Sequence, residues 1–579
     1  MIMKKIYKYL MITALTFSFT ACSDQFLEYV PQDQATVNGW YRNATEIRQA
    51  TAAMYGRPWW EFTDVFQWCA GDLLAGDMYH TWEAEGEFFK NSYGANNRHI
   101  LDGWRGLYNV ISYANLIIDD MPAIAGGYNV SQEVINAGLA EARFFRGVSY
   151  FLLAEYWGEV PIVENPAVKV AANDLQLSKH TESSVYEFVR RDLVFAAENL
   201  PSTDEAGRVT SWAAKGMLAK LHLTLAQRGA SGDFTVAANY ARDVINNSGR
   251  TLFNNYEDMF KVTNEHNPEI LWAIQCINNG WGTGSSRQAR FARHTAVTGD
   301  GTAWGGGKGP TVSFINNLLD NAGTATDKRQ RAIYMQQGDT YNYLATQNGG
   351  YTYSIVFRDA DGVELNGSDP TLTAVKKHVI GNADDNGGYT ITNQDSPLDI
   401  YMLRLADVYL LLAEAELGTG TTLGAGAGLD ALNAVRQRAG LDARGSATYQ
   451  DIFNERRVEF GFESQSWIDV KRRYYRDPAG TIAYLNSQSR AVRYYNLLTG
   501  LDQTAQENDP NGYALVYSGS DGTSNPPGGY PYIGTRPTGE VYSESVNAFT
   551  TDRMRLPIPT AEIIVNHKLG EEAVEYVFN

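Results

Sequence analysis

The stretch LAEARFFRGVSYFLLAEY, residues 139–156, decides the fold class. Leu139, Ala142, Phe145, Ser149, Leu152, Leu153 and Tyr156 recur at three- and four-residue steps, which lays one apolar stripe along a helix. The stripe stops at Gly158 and Pro161, residues that end helices. The same reading extends outward. After Thr210 and Ser211, the residues Ala214, Met217, Leu218, Leu221 and Leu225 share a face, and Gly229 lies past its end. A third helix is expected over 401–417, with Leu403, Ala406, Leu410, Ala413 and Leu417 in register. A fourth carries Leu429, Leu432, Val435 and Ala439 before Gly440. Antiparallel helix pairs are the natural packing for such segments. Between 278 and 388, and again over 502–545 around Asn525 and Pro526, Gly, Asn, Asp and Thr dominate and no stripe persists beyond a turn or two. The chain therefore reads as mainly α: a helical scaffold with few short strands and long irregular loops, the segments that most often carry function.

The first residues set the compartment. Lys4, Lys5 and Lys8 precede an apolar run over 9–19 that closes on Ala21-Cys22. The run is too short for a relaxed membrane span of about 20 residues. A small residue directly before a cysteine fits lipoprotein processing, with 1–21 as signal peptide, Cys22 lipidated and 22–38 a polar tether. Removing those three lysines and no acid takes the formal charge from −18 to −21. That acidity argues against nucleic acid as a partner and leaves the lipid as the attachment to a membrane. Cys69 and Cys276 are too few for a disulfide framework and lack zinc spacing, so two buried thiols are expected.

Several segments in order resemble one family, the SusD/RagB glycan-binding lipoproteins of the Bacteroidetes outer membrane. They are EARFFRGVSYF (141–151) leading into WGEVPI (157–162), WAAKGMLA (212–219), LRLADVYL (403–410), AEA (413–415) and LNAVRQRAGL (432–441). The most specific is ERRVEFGFE (455–463), followed by WID (467–469) with Arg472 and Arg473, then LPIP (556–559) with Glu562. The resemblance implies a scaffold of tetratricopeptide-like helix pairs, in a first part over 39–277 and a second over 389–579, flanking the ligand-bearing region 278–388. It also implies a lipid-anchored, cell-surface location on the outer membrane and a SusC-like TonB-dependent transporter as partner. Glu455, Arg456, Arg457, Glu459 and Asp469 alternate in sign at helical spacing and are expected to form internal ion pairs rather than a catalytic site.

A glycan presents apolar C–H faces ringed by hydroxyls, so its site needs exposed flat aromatics with amide, carboxylate or guanidinium neighbours. Two stretches fit: 77–83, with a nearby loop containing Asn96 and Asn97, and 281–307. In the family, ligand aromatics lie in corresponding loops. Trp82, Trp281 and Trp304 are the expected stacking platform, each outside any stripe and the latter two followed by Gly, with Tyr79, Asp77 and Arg290 as neighbours. Trp59 and Trp60 read as core or protein interface. Three aromatic faces at about 1.5–3 kcal/mol each, less ordering costs, give roughly millimolar to micromolar affinity. A row of tryptophans suits an extended chain of β-glucan or xyloglucan type. Peptide or other nutrient cargo is the alternative, and glycoside hydrolysis a remote one, because no zinc-protease, nucleophile-elbow or P-loop motif is present. No cofactor is expected. Asp359 and Asp361 open like a calcium loop, but Pro370 stands where a bidentate Glu is required, which leaves room only for an adventitious ion.

Overall fold

The apolar stripes become helices. The computed structural model describes residues 40–578 apart from 281, 300, 301, 306, 337, 354–372, 389–393 and 492–544. The signal peptide and tether, Trp281, the Asp359–Pro370 stretch and nearly all of 502–545 lie outside the described residues.

The first part contains α1 (Ala44–Ala52), α2 (Glu83–Phe89), α3 (Arg98–Gly127), α4 (Gln132–Trp157), α5 (Glu182–Asn199), α6 (Ser211–Gln227) and α7 (Asp233–Asn247). Helix α4 holds the 139–156 stripe and ends on Gly158, whose φ of +82° is the left-handed conformation that glycine adopts freely. Consecutive helices from α3 to α7 pack on one another. The middle region holds α8 (Arg287–Phe291) and α9 (Val312–Ala322), and the last part α10 (Leu405–Leu417), α11 (Ala427–Arg438), α12 (Tyr449–Glu459) and α13 (Ser466–Arg476). Helix α10 packs on α7, α11 and α12, so both parts share one stack and one apolar core from Tyr41 to Leu569. Cys69 and Cys276 are free thiols buried in it, Trp59 lies in it as well, and Trp60 is buried.

The strands are short and paired in twos: β1 (Met78–Tyr79) with β3 (Gly309–Pro310), β2 (Ile270–Ile274) with β8 (Ile400–Arg404), β4 (Tyr334–Gln336) with β7 (Thr373–Val375) and β5 (Thr340–Tyr341) with β6 (Tyr351–Thr352), all antiparallel. Two expectations need correction. Residues 401–404 are strand rather than the start of a helix, because IYMLR is buried throughout and pairs with β2. The middle region contains a three-turn helix, α9, in which Phe314, Ile315 and Leu318 form a stripe and Thr311 caps the N-terminus. Its surrounding Asn residues disguised that period.

The charged signature is an internal lattice, as its alternation implied. Arg329 pairs with Asp327, Glu455 and Glu459 at 2.7, 2.6 and 2.9 Å, all fully buried. Arg436 reaches Glu455 at 2.9 Å, and Arg404 and Arg438 both reach Glu459. Arg456 bridges Asp407 and Asp469. Burial alone would raise the Glu459 carboxyl, but Arg438, Arg404 and Arg329 outweigh it and hold it well below the usual carboxylate range. Removing one partner leaves the others charged and dry. Arg329→Ala is expected to destabilise the protein by about 3–5 kcal/mol in urea unfolding. Lys169→Ala, which breaks a half-exposed pair with Asp174, should cost less than about 1 kcal/mol.

Candidate functional site

The β1–β3 ladder builds the site. Tyr79 pairs with Gly309 in antiparallel register, so the residues after Tyr79 run beside those before Gly309. Trp82 and Trp304 therefore emerge from the same end of the ladder, 47% and 48% exposed. Most of the other aromatic rings among the described residues are buried; these two keep half their surface in water.

Each ring stands on a rigid base. Trp82 precedes α2, and Glu83 takes a left-handed φ of +50°, which turns the chain sharply behind the ring. The edge of the indole meets His80 at 5.9 Å, His80 meets the buried Trp68 at 6.2 Å, and the Lys308 ammonium lies 5.8 Å from the Trp68 ring. Lys308 then donates to the carbonyl of Trp304 at 3.1 Å. One run of contacts thus connects both tryptophans. Burial pushes His80 down to about 3 and Lys308 down to about 8, so His80 is neutral at physiological pH. On the other side, the Trp304 and Gly305 amides donate to Ala289 and Ala292 around α8, at 2.7 and 2.9 Å. A Cβ on Gly305 would sit 2.1 Å from the Phe291 carbonyl oxygen. Gly305 is there for that close approach.

The other expected residues take different places. Asp77 is 1% exposed and ion-paired with Arg457 of α12; its own carbonyl accepts from Thr311 at 2.9 Å. Tyr79 is 4% exposed, its ring edge-on to Phe89 at 5.1 Å. Burial removes both from contact with a surface ligand, because each supports the ladder from beneath. Arg290 is part-buried and held by Asp64 at 3.0 Å. Trp281 lies outside the described residues, but the loop around it is pinned, since Asp395 accepts from the Gly280 and Gly284 amides at 3.0 and 2.6 Å. Asn96 is exposed, whereas Asn97 caps α3 and donates to Ala84 of α2 at 2.9 Å. Asp395, Asp64, His80 and Lys308 were missed. Asn97 was legible as a cap directly before an apolar helical run.

Charge locks α2 to α3. Glu85 of α2 lies 3.5 Å from His99, which is 3.3 Å from Asp102; Arg98 reaches Glu83 at 3.1 Å. Burial opposes charge on both Glu85 and His99, yet their mutual contact, with Asp102, prevails: Glu85 falls to about 2 and His99 rises above its usual value.

The family model described as SusD family matches residues 268–576, and one described as starch-binding associating with outer membrane matches 26–223. A SusD-like protein of Bacteroides ovatus is 33% identical over 99% of this chain and 98% of its own length. A crystal structure with xylogluco-oligosaccharide is similar at TM-score 0.75 and 30% identity, over 92% of this chain and 99% of that one. A laminarin-binding SusD-like protein matches at TM-score 0.58 and 19% identity, over 77% of this chain and 94% of that one, a likeness of fold.

The Glu85–His99 contact makes the base of Trp82 pH-dependent. The lowered Glu85 contributes stability that is present above its unfolded value of 4.5 and lost as pH falls toward about 2. The raised His99 contributes stability that is present below its unfolded value of 6.5 and lost as pH rises through its folded value. Amide-exchange protection of α2 should therefore be greatest between pH 4.5 and 6.5. His99→Gln should flatten the alkaline limb and weaken the acid limb as well, because the same contact holds Glu85 low.

Proposed function

The chain belongs to the SusD family, and on that premise we propose that Trp82 and Trp304, together with Trp281, form a stacking platform for an extended glycan of β-glucan or xyloglucan type. The observation that carries this reading is the pair of half-exposed indoles leaving one end of the β1–β3 ladder. Flat faces fixed in advance lose little entropy when a sugar ring settles on them. The relative solved with xylogluco-oligosaccharide supports the choice of polymer class.

The platform binds without cutting. The acids beside it, Glu83 and Glu85, are engaged by Arg98 and His99 rather than poised across a scissile bond. Stacking requires no cofactor. In this reading a lipid on Cys22 holds the protein at the outer-membrane surface, and the bound glycan passes to a SusC-like TonB-dependent transporter. Release favours modest affinity, which a few aromatic faces provide.

Affinity electrophoresis of protein lacking residues 1–22, through gels containing xyloglucan, mixed-linkage β-glucan and unrelated polysaccharides, tests the platform. Retardation by a β-glucan-type polymer should weaken by about tenfold or more with Trp82→Ala or Trp304→Ala, since one lost face is worth about 1.5–3 kcal/mol. Retention unchanged in both variants overturns the platform; no retardation by any polymer favours another cargo. In cells, Cys22→Ser should move the protein out of the membrane fraction.

A further inference from the structure

A groove of about 840 Å³ lies apart from the two tryptophans, between α3, the segment at Arg57–Glu61 and the C-terminal segment at Glu562–Leu569. Its size is within the range of about 300–1,000 Å³ of small-molecule sites. We infer that it is a second glycan subsite, which takes a further stretch of the same polymer; this rests on the glycan-binding reading above.

The wall supplied by α3 is unusual for a helix. Trp104, Tyr108 and Ser112 form one row at four-residue steps, and Arg105, Asn109 and Tyr113 the next. Trp104 is 4% exposed, the Tyr108 hydroxyl donates to the Pro161 carbonyl at 2.8 Å and the Asn109 amide to the Pro58 carbonyl at 3.0 Å, so the Tyr113 ring is the face this wall offers a sugar. Tyr113 is 41% exposed. Across the groove, Arg57 and Glu61 are exposed and carry no ion pair among the described residues. Arg105 pairs with Glu562 at 2.9 Å. The buried side-chain oxygen of Asn566 has no hydrogen-bond partner.

These groups select the occupant. Two arginines face two glutamates, so the groove has no net charge to attract an ion and suits a neutral ligand. The rim also carries exposed aliphatics, Leu175 and Val565. An apolar protein or lipid surface seated on them would bury Arg57 and Glu61 without partners, at considerable cost. Hydroxyl groups satisfy donors and acceptors alike, while C–H faces cover the rings and aliphatics.

The groove also adjoins the loop at Gly282. The Arg57 guanidinium lies against Gly282, where a Cβ would come within 2.9 Å of it. Gly282 is in the loop pinned by Asp395. That loop borders the mouth of the groove at Arg57.

The test is titration calorimetry with soluble xyloglucan and with a single-repeat xylogluco-oligosaccharide, on the mature chain and on Tyr113→Ala and Glu61→Ala, both exposed enough to leave the fold intact. Polymer affinity should fall about tenfold in each variant (~1.4 kcal/mol), while the short oligosaccharide, held by the tryptophans, binds as before. A Trp82→Ala/Trp304→Ala protein should lose the short oligosaccharide yet keep weak polymer binding, which adding Tyr113→Ala abolishes. Polymer binding unchanged by Tyr113→Ala and Glu61→Ala overturns the subsite and leaves the platform standing. Failure of the unmodified chain to bind either ligand overturns both.

Discussion

Buried guanidinium groups converge on one short helix, and the rest of the molecule is arranged around that convergence. Helix α12 presents Glu455 and Glu459 to Arg329, Arg436, Arg404 and Arg438, which come from the middle loops, the end of β8 and α11. Its adjacent Arg456 turns instead toward Asp407 of α10 and Asp469 of α13. Successive residues on a helix point about 100° apart, so one turn of charges fastens several layers at once. The next residue, Arg457, holds Asp77 at the foot of the β1–β3 ladder. The Arg457–Asp77 pair therefore ties the lattice to the ladder. The attraction within such a cluster is partly consumed by desolvation, so its main effect is to make any other arrangement of these elements expensive.

The sequence made the helices legible wherever their apolar faces were uninterrupted, as at 139–156 and 211–227. It was misleading where two signals overlapped. IYMLR continues the spacing of α10 but is buried on every side, and periodicity cannot separate a buried strand from the helix that follows it. Helix α9 was hidden because Asn316, Asn317, Asp320 and Asn321 interrupt its stripe, and these residue types also mark loops. At the site, the exposed indoles could be read from their absence from any stripe. Asp77 and Tyr79 could not be placed, because their neighbours Arg457 and Phe89 are brought to them by tertiary packing, and neither motif nor spacing records that. His80 and Lys308 gave no local sign for the same reason.

The two proposed binding regions differ in kind. Trp82 and Trp304 present two half-exposed rings, propped by His80, Trp68 and Lys308. The groove beside α3 is concave and has the polar variety that the platform lacks. An extended ligand that met both would gain strength from the first and selectivity from the second, since hydrogen-bonding sites reject a wrong partner far more sharply than apolar faces do.

The β1–β3 ladder has a further consequence for when recognition becomes available. Its strands come from residues 78–79 and 309–310, and Arg457, the brace beneath it, arrives later still in synthesis. No fragment that ends before the brace contains a finished platform. Pairings between such remote parts of a chain form late in folding. Once the ladder has closed, a ligand on it stabilises the whole molecule by mass action, about 2.7 kcal/mol at a hundredfold excess over Kd. Occupied molecules would be the ones that best withstand heat and proteases.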